Sequence, residues 1–166
     1  MTGALLAIDI TGTGGQTLRD AWAEGPNAYL GIGIAGFPNL FTITGPTSPS
    51  VLSNMIVSIE QHVEWVADCI AHLRDEGIAA IEPNPEAQEA WARHAEEVGN
   101  ATLYPPRTPG YMGANVPGKP RVFMPYIGGV GAYRERCDEV ANGYEGFTLV
   151  PAGARYAAAP TTEESS

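Results

Sequence analysis

Between Pro49 and Glu76 the apolar residues Val51, Leu52, Met55, Ile56, Ile59, Val63, Val66, Ile70 and Leu73 recur mainly at steps of three and four. On a helix that spacing aligns them as one continuous stripe, so this stretch predicts a long amphipathic helix. Ser48 is placed to cap it, Pro49 suits the first helical position, and Gly77 suits the end. The same stretch carries Glu60, Glu64 and Asp68 four apart, which reads as a solvated carboxylate face. His62 stands off that face and has no histidine at ligand spacing, so no metal site is expected.

Shorter elements surround this helix. Ala4–Ile10 reads as a buried strand, and Thr11–Gly15 as a turn. Thr17–Glu24 reads as a short helix with Leu18 and Trp22 on one face, stopped by Gly25 and Pro26. Ala28–Ile34 and Asn39–Thr44 read as two short strands separated by Gly36, Phe37 and Pro38. A second helix starts at Asn84, Pro85 and Glu86 and places Trp91, Ala95 and Val98 together. Tyr104–Pro120 is a long irregular loop, and Arg121–Ile127 an edge strand broken by Pro125. A helix over Tyr133–Ala141 aligns Tyr133, Cys137, Val140 and Ala141, and Gly146–Val150 is a last strand. Residues 1–150 are expected to form one unit and residues 151–166 a disordered tail. Glycine (20) and proline (14) make up about a fifth of the 166 residues, which points to a loop-rich domain or a piece of a larger one.

Several function classes are excluded on simple grounds. No apolar run is long enough for a membrane helix, and the first residues lack the pattern of a secretory signal. Cys69 and Cys137 are too few for a disulfide scaffold and read as reduced thiols, which places the protein in the cytoplasm and leaves the Asn100-Ala101-Thr102 sequon unused. Nine Lys and Arg against nineteen Asp and Glu give a net charge of −10. Such a chain has no basic face with which to neutralise phosphates, so nucleic acid is not a partner.

Three stretches could carry chemistry. Gly31-Ile32-Gly33-Ile34-Ala35-Gly36 has the form of a dinucleotide fingerprint, but a turn and another strand follow it rather than a helix, so it reads as a turn. Thr44-Gly45-Pro46-Thr47-Ser48-Pro49-Ser50 leads directly into the long helix. Small residues and prolines there let a ligand approach the backbone, and the helix start offers free N–H groups to a carbonyl oxygen or a reduced flavin ring. An ordinary capped helix start is the competing reading. The loop Thr108–Lys119 carries Tyr111 and Lys119, either of which could touch a ligand. His72 and His94 read as surface residues. Without a C-x-x-C motif or a G-x-S-x-G elbow, redox-metal and hydrolase readings have no anchor.

Taken in order, Gly36-Phe37-Pro38-Asn39-Leu40-Phe41, Gly45-Pro46-Thr47-Ser48-Pro49-Ser50, Leu52-Ser53-Asn54-Met55, Ser58 to Trp65, Gly113 to Lys119 and Tyr144-Glu145-Gly146-Phe147 resemble the C-terminal part of class B flavoprotein monooxygenases. The resemblance is to the Baeyer–Villiger type, such as phenylacetone and cyclohexanone monooxygenases, and runs from about Thr2 to Leu149. It implies an α/β fold, the second segment of a discontinuous Rossmann-like FAD-binding domain, with the long helix following a region of short strands and loops. It implies an enzyme that uses FAD, NADPH and O2 to insert one oxygen atom beside a ketone carbonyl, giving an ester or lactone. The cofactor rather than a side chain supplies the reactive group, so no catalytic residue is expected in this segment.

By the same resemblance Gly45, Pro49, Asn54 and Met55 border FAD, and Ser50, Val51, Leu52 and Met55 line the substrate pocket. Gly110 and Tyr111 fall in the loop that meets NADP. Related enzymes carry a tryptophan where Gly110 stands, so this loop's cofactor contact departs from the pattern. The family's upstream fingerprints and its NADPH-binding segment are outside these residues. The chain is therefore expected to be a piece of a longer enzyme or a truncated product, and alone to hold FAD weakly and be inactive. Two other readings stay open: a non-catalytic split-gene subunit that pairs with the N-terminal FAD and NADP segments, and a flavin monooxygenase that oxidises nitrogen or sulfur.

Overall fold

The computed structural model describes residues 2–49, 53–101 and 125–154. In chain order they form α1 (Thr2–Leu5), α2 (Leu18–Ala21), α3 (Met55–Asp75), β1 (Ile78–Pro83), α4 (Pro85–Asn100), α5 (Val130–Ala141) and β2 (Phe147–Pro151), with a short 3-10 turn at Thr13–Gly15.

The long helix is present but starts at Met55 rather than Pro49. Asn54, extended at φ −66° and ψ 108°, is its cap, and its side-chain oxygen accepts the Ile56 N–H at 3.1 Å. Ser48 has a different role, its hydroxyl donating to the Gly45 carbonyl at 2.7 Å. The other end is as expected: Gly77 takes a left-handed φ of 66° just past the last turn.

The buried face of α3 differs from the apolar stripe read in the sequence. Ser58, Gln61, His62, Trp65, Cys69 and Leu73 are buried. Ile56, Val63 and Ile70 of the stripe are 61%, 50% and 52% exposed, and Ile59 and Val66 are half-buried along its edge. Glu60, Glu64 and Asp68 form the exposed carboxylate row that their spacing implies. Helix α3 thus has three sectors, of which this chain covers only one.

That covered sector packs on β1 and α5. Strand β1 pairs antiparallel with β2, from Ile78 opposite Pro151 to Pro83 opposite Phe147, with an irregularity between Ile78 and Ala80. The sequence reading assigned β2 but no element at 78–83. It also began the tail at Pro151, whereas Pro151 ends β2 and the Ala152 N–H bonds the Gly77 carbonyl at 2.7 Å. Residues 155–166 lie outside the described residues. So do 121–124, and Pro125–Ile127 form no strand.

Three strands expected in the first 44 residues do not form. The start of Ala4–Ile10 belongs to α1 and the rest is turn. Ala28–Ile34 and Asn39–Thr44 contain left-handed residues, Leu30 (φ 55°), Gly31 (69°), Asn39 (59°) and Thr44 (51°). Such angles turn the chain back on itself and cannot sit in a pleat. What remains is isolated pairing, Tyr29 with Gly33 and Gly33 with Phe41. Their apolar residues are buried all the same, Ile34 with Leu18, Trp22, Ala28 and Phe37 in one cluster, Leu30 and Ile32 with Trp65, Ile81, Trp91 and Tyr133 in the main core.

Candidate functional site

The stretch Thr42–Pro49 lies between those turns and the approach to α3, and side chains from four directions tether it. Its residues Thr44 and Thr47 are left-handed, at φ 51° and 66°. Non-glycine residues hold that conformation only where surrounding contacts over-determine it. Thr42 donates its hydroxyl to the Gly31 carbonyl at 2.9 Å, and the Gly45 N–H reaches the same oxygen at 3.1 Å. Thr47 donates to the Ala28 carbonyl at 2.8 Å, while its own carbonyl accepts the Trp91 indole N–H at 3.1 Å. The Ser48 carbonyl accepts the Tyr126 N–H at 2.9 Å. Trp91 and Tyr126 are themselves stacked, with ring centroids 5.2 Å apart.

The remaining tether is His62, which is fully buried. Its Nδ1 accepts the Thr44 N–H at 2.9 Å, so the ring proton sits on Nε2. Nε2–H then donates to the Tyr133 hydroxyl at 2.6 Å, and Tyr133 donates onward to the Leu30 carbonyl. Burial holds the His62 pKa down at about 4 and pushes that of Tyr133 well up, so both stay neutral at neutral pH. This corrects the solvated reading of His62. Its spacing from Ser58, Trp65 and Cys69, at four, three and seven residues, carried the signal that it shares their face. His72 and His94 are exposed, as expected.

The glycine-rich run Gly31–Gly36 is a turn, and its amides are occupied. Gln88 Oε1 accepts the Ala35 N–H at 2.8 Å and Glu82 accepts the Gly36 N–H at 2.5 Å. A carboxylate at that place repels a phosphate. Cys69 and Cys137 are buried, and burial pushes both thiols up to about 11, so neither forms a nucleophile at neutral pH. Among the described residues no group of three or more His, Cys, Asp or Glu could hold a metal ion, and no helix is long and apolar enough to cross a membrane.

Of the residues singled out by resemblance, Gly45 and Pro49 lie in the tethered stretch, and Asn54 and Met55 form the start of α3. Ser50, Val51, Leu52, Gly110, Tyr111 and Lys119 lie outside the described residues. The first turn of α3 contains no acidic side chain, so its positive end is not neutralised from within the chain. Sequence reasoning missed a groove of about 610 Å³ lined by Tyr29, Trp91, His94, Tyr126 and Arg136, behind the Thr47 carbonyl that Trp91 holds.

Gly45 has no room for a side chain: a Cβ would lie 2.4 Å from Thr42 Oγ1 and 2.5 Å from the Gly31 carbonyl oxygen. Gly45→Ala is expected to cost about 1–3 kcal/mol by forcing these groups apart. Urea denaturation measures it, and an unchanged midpoint would show that the stretch is not packed as described.

The tethered backbone, the uncapped positive helix end and the mixed helix–strand frame define a segment similar to part of a nucleotide-cofactor monooxygenase. No protein-family profile matches the chain. It is 45% identical over 150 residues to acetone monooxygenase (methyl acetate-forming) of Gordonia sp. strain TY-5, covering 89% of this chain and 28% of that protein. Phenazine N-monooxygenase of Lysobacter antibioticus is 39% identical over 148 residues, 89% of this chain and 27% of its own. A crystal structure of cyclohexanone monooxygenase from Rhodococcus sp. Phi1 bound to NADP+ superposes with a TM-score of 0.84 at 41% identity, over 90% of this chain and 28% of that one. The chain is therefore similar to the C-terminal part of flavoprotein monooxygenases of the Baeyer–Villiger type. It spans little more than a quarter of the length of the curated relatives it matches.

Proposed function

We propose that this chain is the second segment of a discontinuous FAD-binding domain in a Baeyer–Villiger monooxygenase, residues 1–150 forming that segment. With FAD, NADPH and O2 the whole enzyme inserts one oxygen beside a ketone carbonyl to give an ester or lactone. The observation that carries this reading is the 45% identity to a ketone-oxidising enzyme, extending over 89% of the chain.

The residues present fit a flavin. An electron-rich ring edge or carbonyl oxygen suits the α3 start, where no carboxylate competes and Asn54 caps only the Ile56 N–H. Gly45, Pro49, Asn54 and Met55 would border FAD; Ser50, Val51 and Leu52, with Met55, would line the ketone pocket; Gly110 and Tyr111 would meet NADP. FAD, when bound and reduced by NADPH, supplies the activation of O2. The chain's own contribution is orientation and exclusion of water. His62, Trp91 and Tyr126 hold Thr44–Ser48 in one conformation before any ligand arrives, so little ordering remains to oppose binding.

The test is a chimera in which this chain replaces the matching part of the Gordonia acetone monooxygenase. Ketone-dependent NADPH consumption with ester as product is the expected result. A chimera that folds and holds FAD but forms no ester from acetone, cyclohexanone or cyclopentanone would sink the proposal. A second reading, nitrogen oxidation, is favoured by the 39% identity to a phenazine N-monooxygenase. N-oxide from a phenazine with no ester from ketones would establish it instead.

A further inference from the structure

We propose that the uncovered apolar sector of α3, Ile56, Val63, Ala67 and Ile70, is a docking seam for an apolar face of the remaining flavin-domain segment of the same polypeptide. The proposal rests on the reading above that the chain is part of a longer flavoprotein. Its geometry comes from helix periodicity alone. At 100° per residue the buried side chains Ser58, Gln61, His62, Trp65 and Cys69 occupy one side. Glu60, Glu64 and Asp68 occupy a second. Ile56, Val63, Ala67 and Ile70 fall together on a third, all exposed. The row runs about 21 Å along the helix at 1.5 Å per residue.

Its surroundings say what covers it. Half-buried Ile59 and Val66 border it on the side away from the carboxylates. Beyond them lies His62, whose partner Thr44 follows the exposed Ile43. Apolar surface therefore continues from the seam onto the tethered stretch, so whatever covers the seam arrives beside the candidate flavin site. A second copy of this chain fits poorly. The exposed apolar area is on the order of 300–400 Å², well below the roughly 800 Å² per partner of a stable interface. Each copy also bears a net charge of −10, with Glu60 and Glu64 next to the seam. A segment of the same polypeptide needs no such area, because its effective concentration is already high. The chain covers only 28% of the acetone monooxygenase it matches, so such a segment makes up the greater part of that relative.

The experiment pairs the 166-residue chain with a separately expressed partner, the part of the Gordonia acetone monooxygenase outside the match. Association is followed by size exclusion and by titration, and flavin absorbance is read on the complex. A one-to-one complex is expected. Val63→Lys with Ile70→Lys should weaken it about a hundredfold or more, and Glu60→Gln with Glu64→Gln by less than about threefold. Positions 63 and 70 are half-exposed, and circular dichroism of each variant alone verifies that it folds. Equal affinity of the seam variant and the unmodified chain would overturn the proposal, and so would the absence of any complex. A dimer of the chain alone, abolished by Ile70→Lys, would overturn it in favour of a second copy. A complex that depends on the seam but retains no flavin would leave the seam standing and sink the flavin reading.

Discussion

Replacing Trp91 by alanine is expected to lower the unfolding free energy by about 3–5 kcal/mol. Trp91 is 5% exposed in the main core, stacks on Tyr126 and touches Tyr133. The substitution removes that packing and strips the Thr47 carbonyl of its indole donor. A domain of ordinary stability has about 5–15 kcal/mol in total, so the variant stands near the edge of folding. Trp91→Phe keeps much of the ring and loses the hydrogen bond, and is expected to cost about 1–3 kcal/mol. Urea denaturation followed by circular dichroism measures both. A loss below about 1 kcal/mol for the alanine variant would contradict the core position of Trp91.

The second large effect is acid destabilisation through His62. Its folded pKa of about 4 lies below the ordinary 6.5 because burial disfavours the charged ring. Between those values the unfolded chain binds the extra proton and the folded chain does not. The contribution is therefore complete above pH 6.5 and lost as pH falls towards 4, about 3 kcal/mol in all. No charged side chain bonds the ring; its partners are the Thr44 amide and the neutral Tyr133 hydroxyl. His62→Gln is expected to be less stable at pH 7, with the gap closing by about 3 kcal/mol at pH 4. Stability curves of the two proteins that run parallel from pH 7 to 4 would show that His62 titrates as it does in the unfolded chain.

Both effects act on one stretch of backbone, Thr44–Ser48, from opposite sides. That convergence was only partly legible beforehand. The stretch itself stood out because small residues and prolines precede a long helix. Its tethers did not, since Trp91, Tyr126, Tyr133 and His62 are 29 to 89 positions away from Thr44–Ser48 or sit within an unrelated helical pattern. Hydrogen bonds across such separations leave no local spacing to read.

Sequence alone determined the elements that local chemistry dictates. The steps of three and four made α3 a helix, and Gly77 ended it because only glycine takes a left-handed turn there without strain. Asn84 and Pro85 opened α4, Leu18 and Trp22 shared one face of α2, and β2 lay within a residue of its expected place. The resemblance to Baeyer–Villiger monooxygenases was likewise carried by residues in order. Tertiary structure decided the rest. It turned two expected strands into left-handed bends, because buried threonines and glycines bonding across the core outweigh strand propensity. It moved the start of α3 to Asn54. It also chose which side of α3 to bury. Periodicity reports how apolar residues align around a helix, whereas burial depends on which surface is present to meet them, and here the strands and α5 meet Trp65 and His62 while the aligned stripe faces outward.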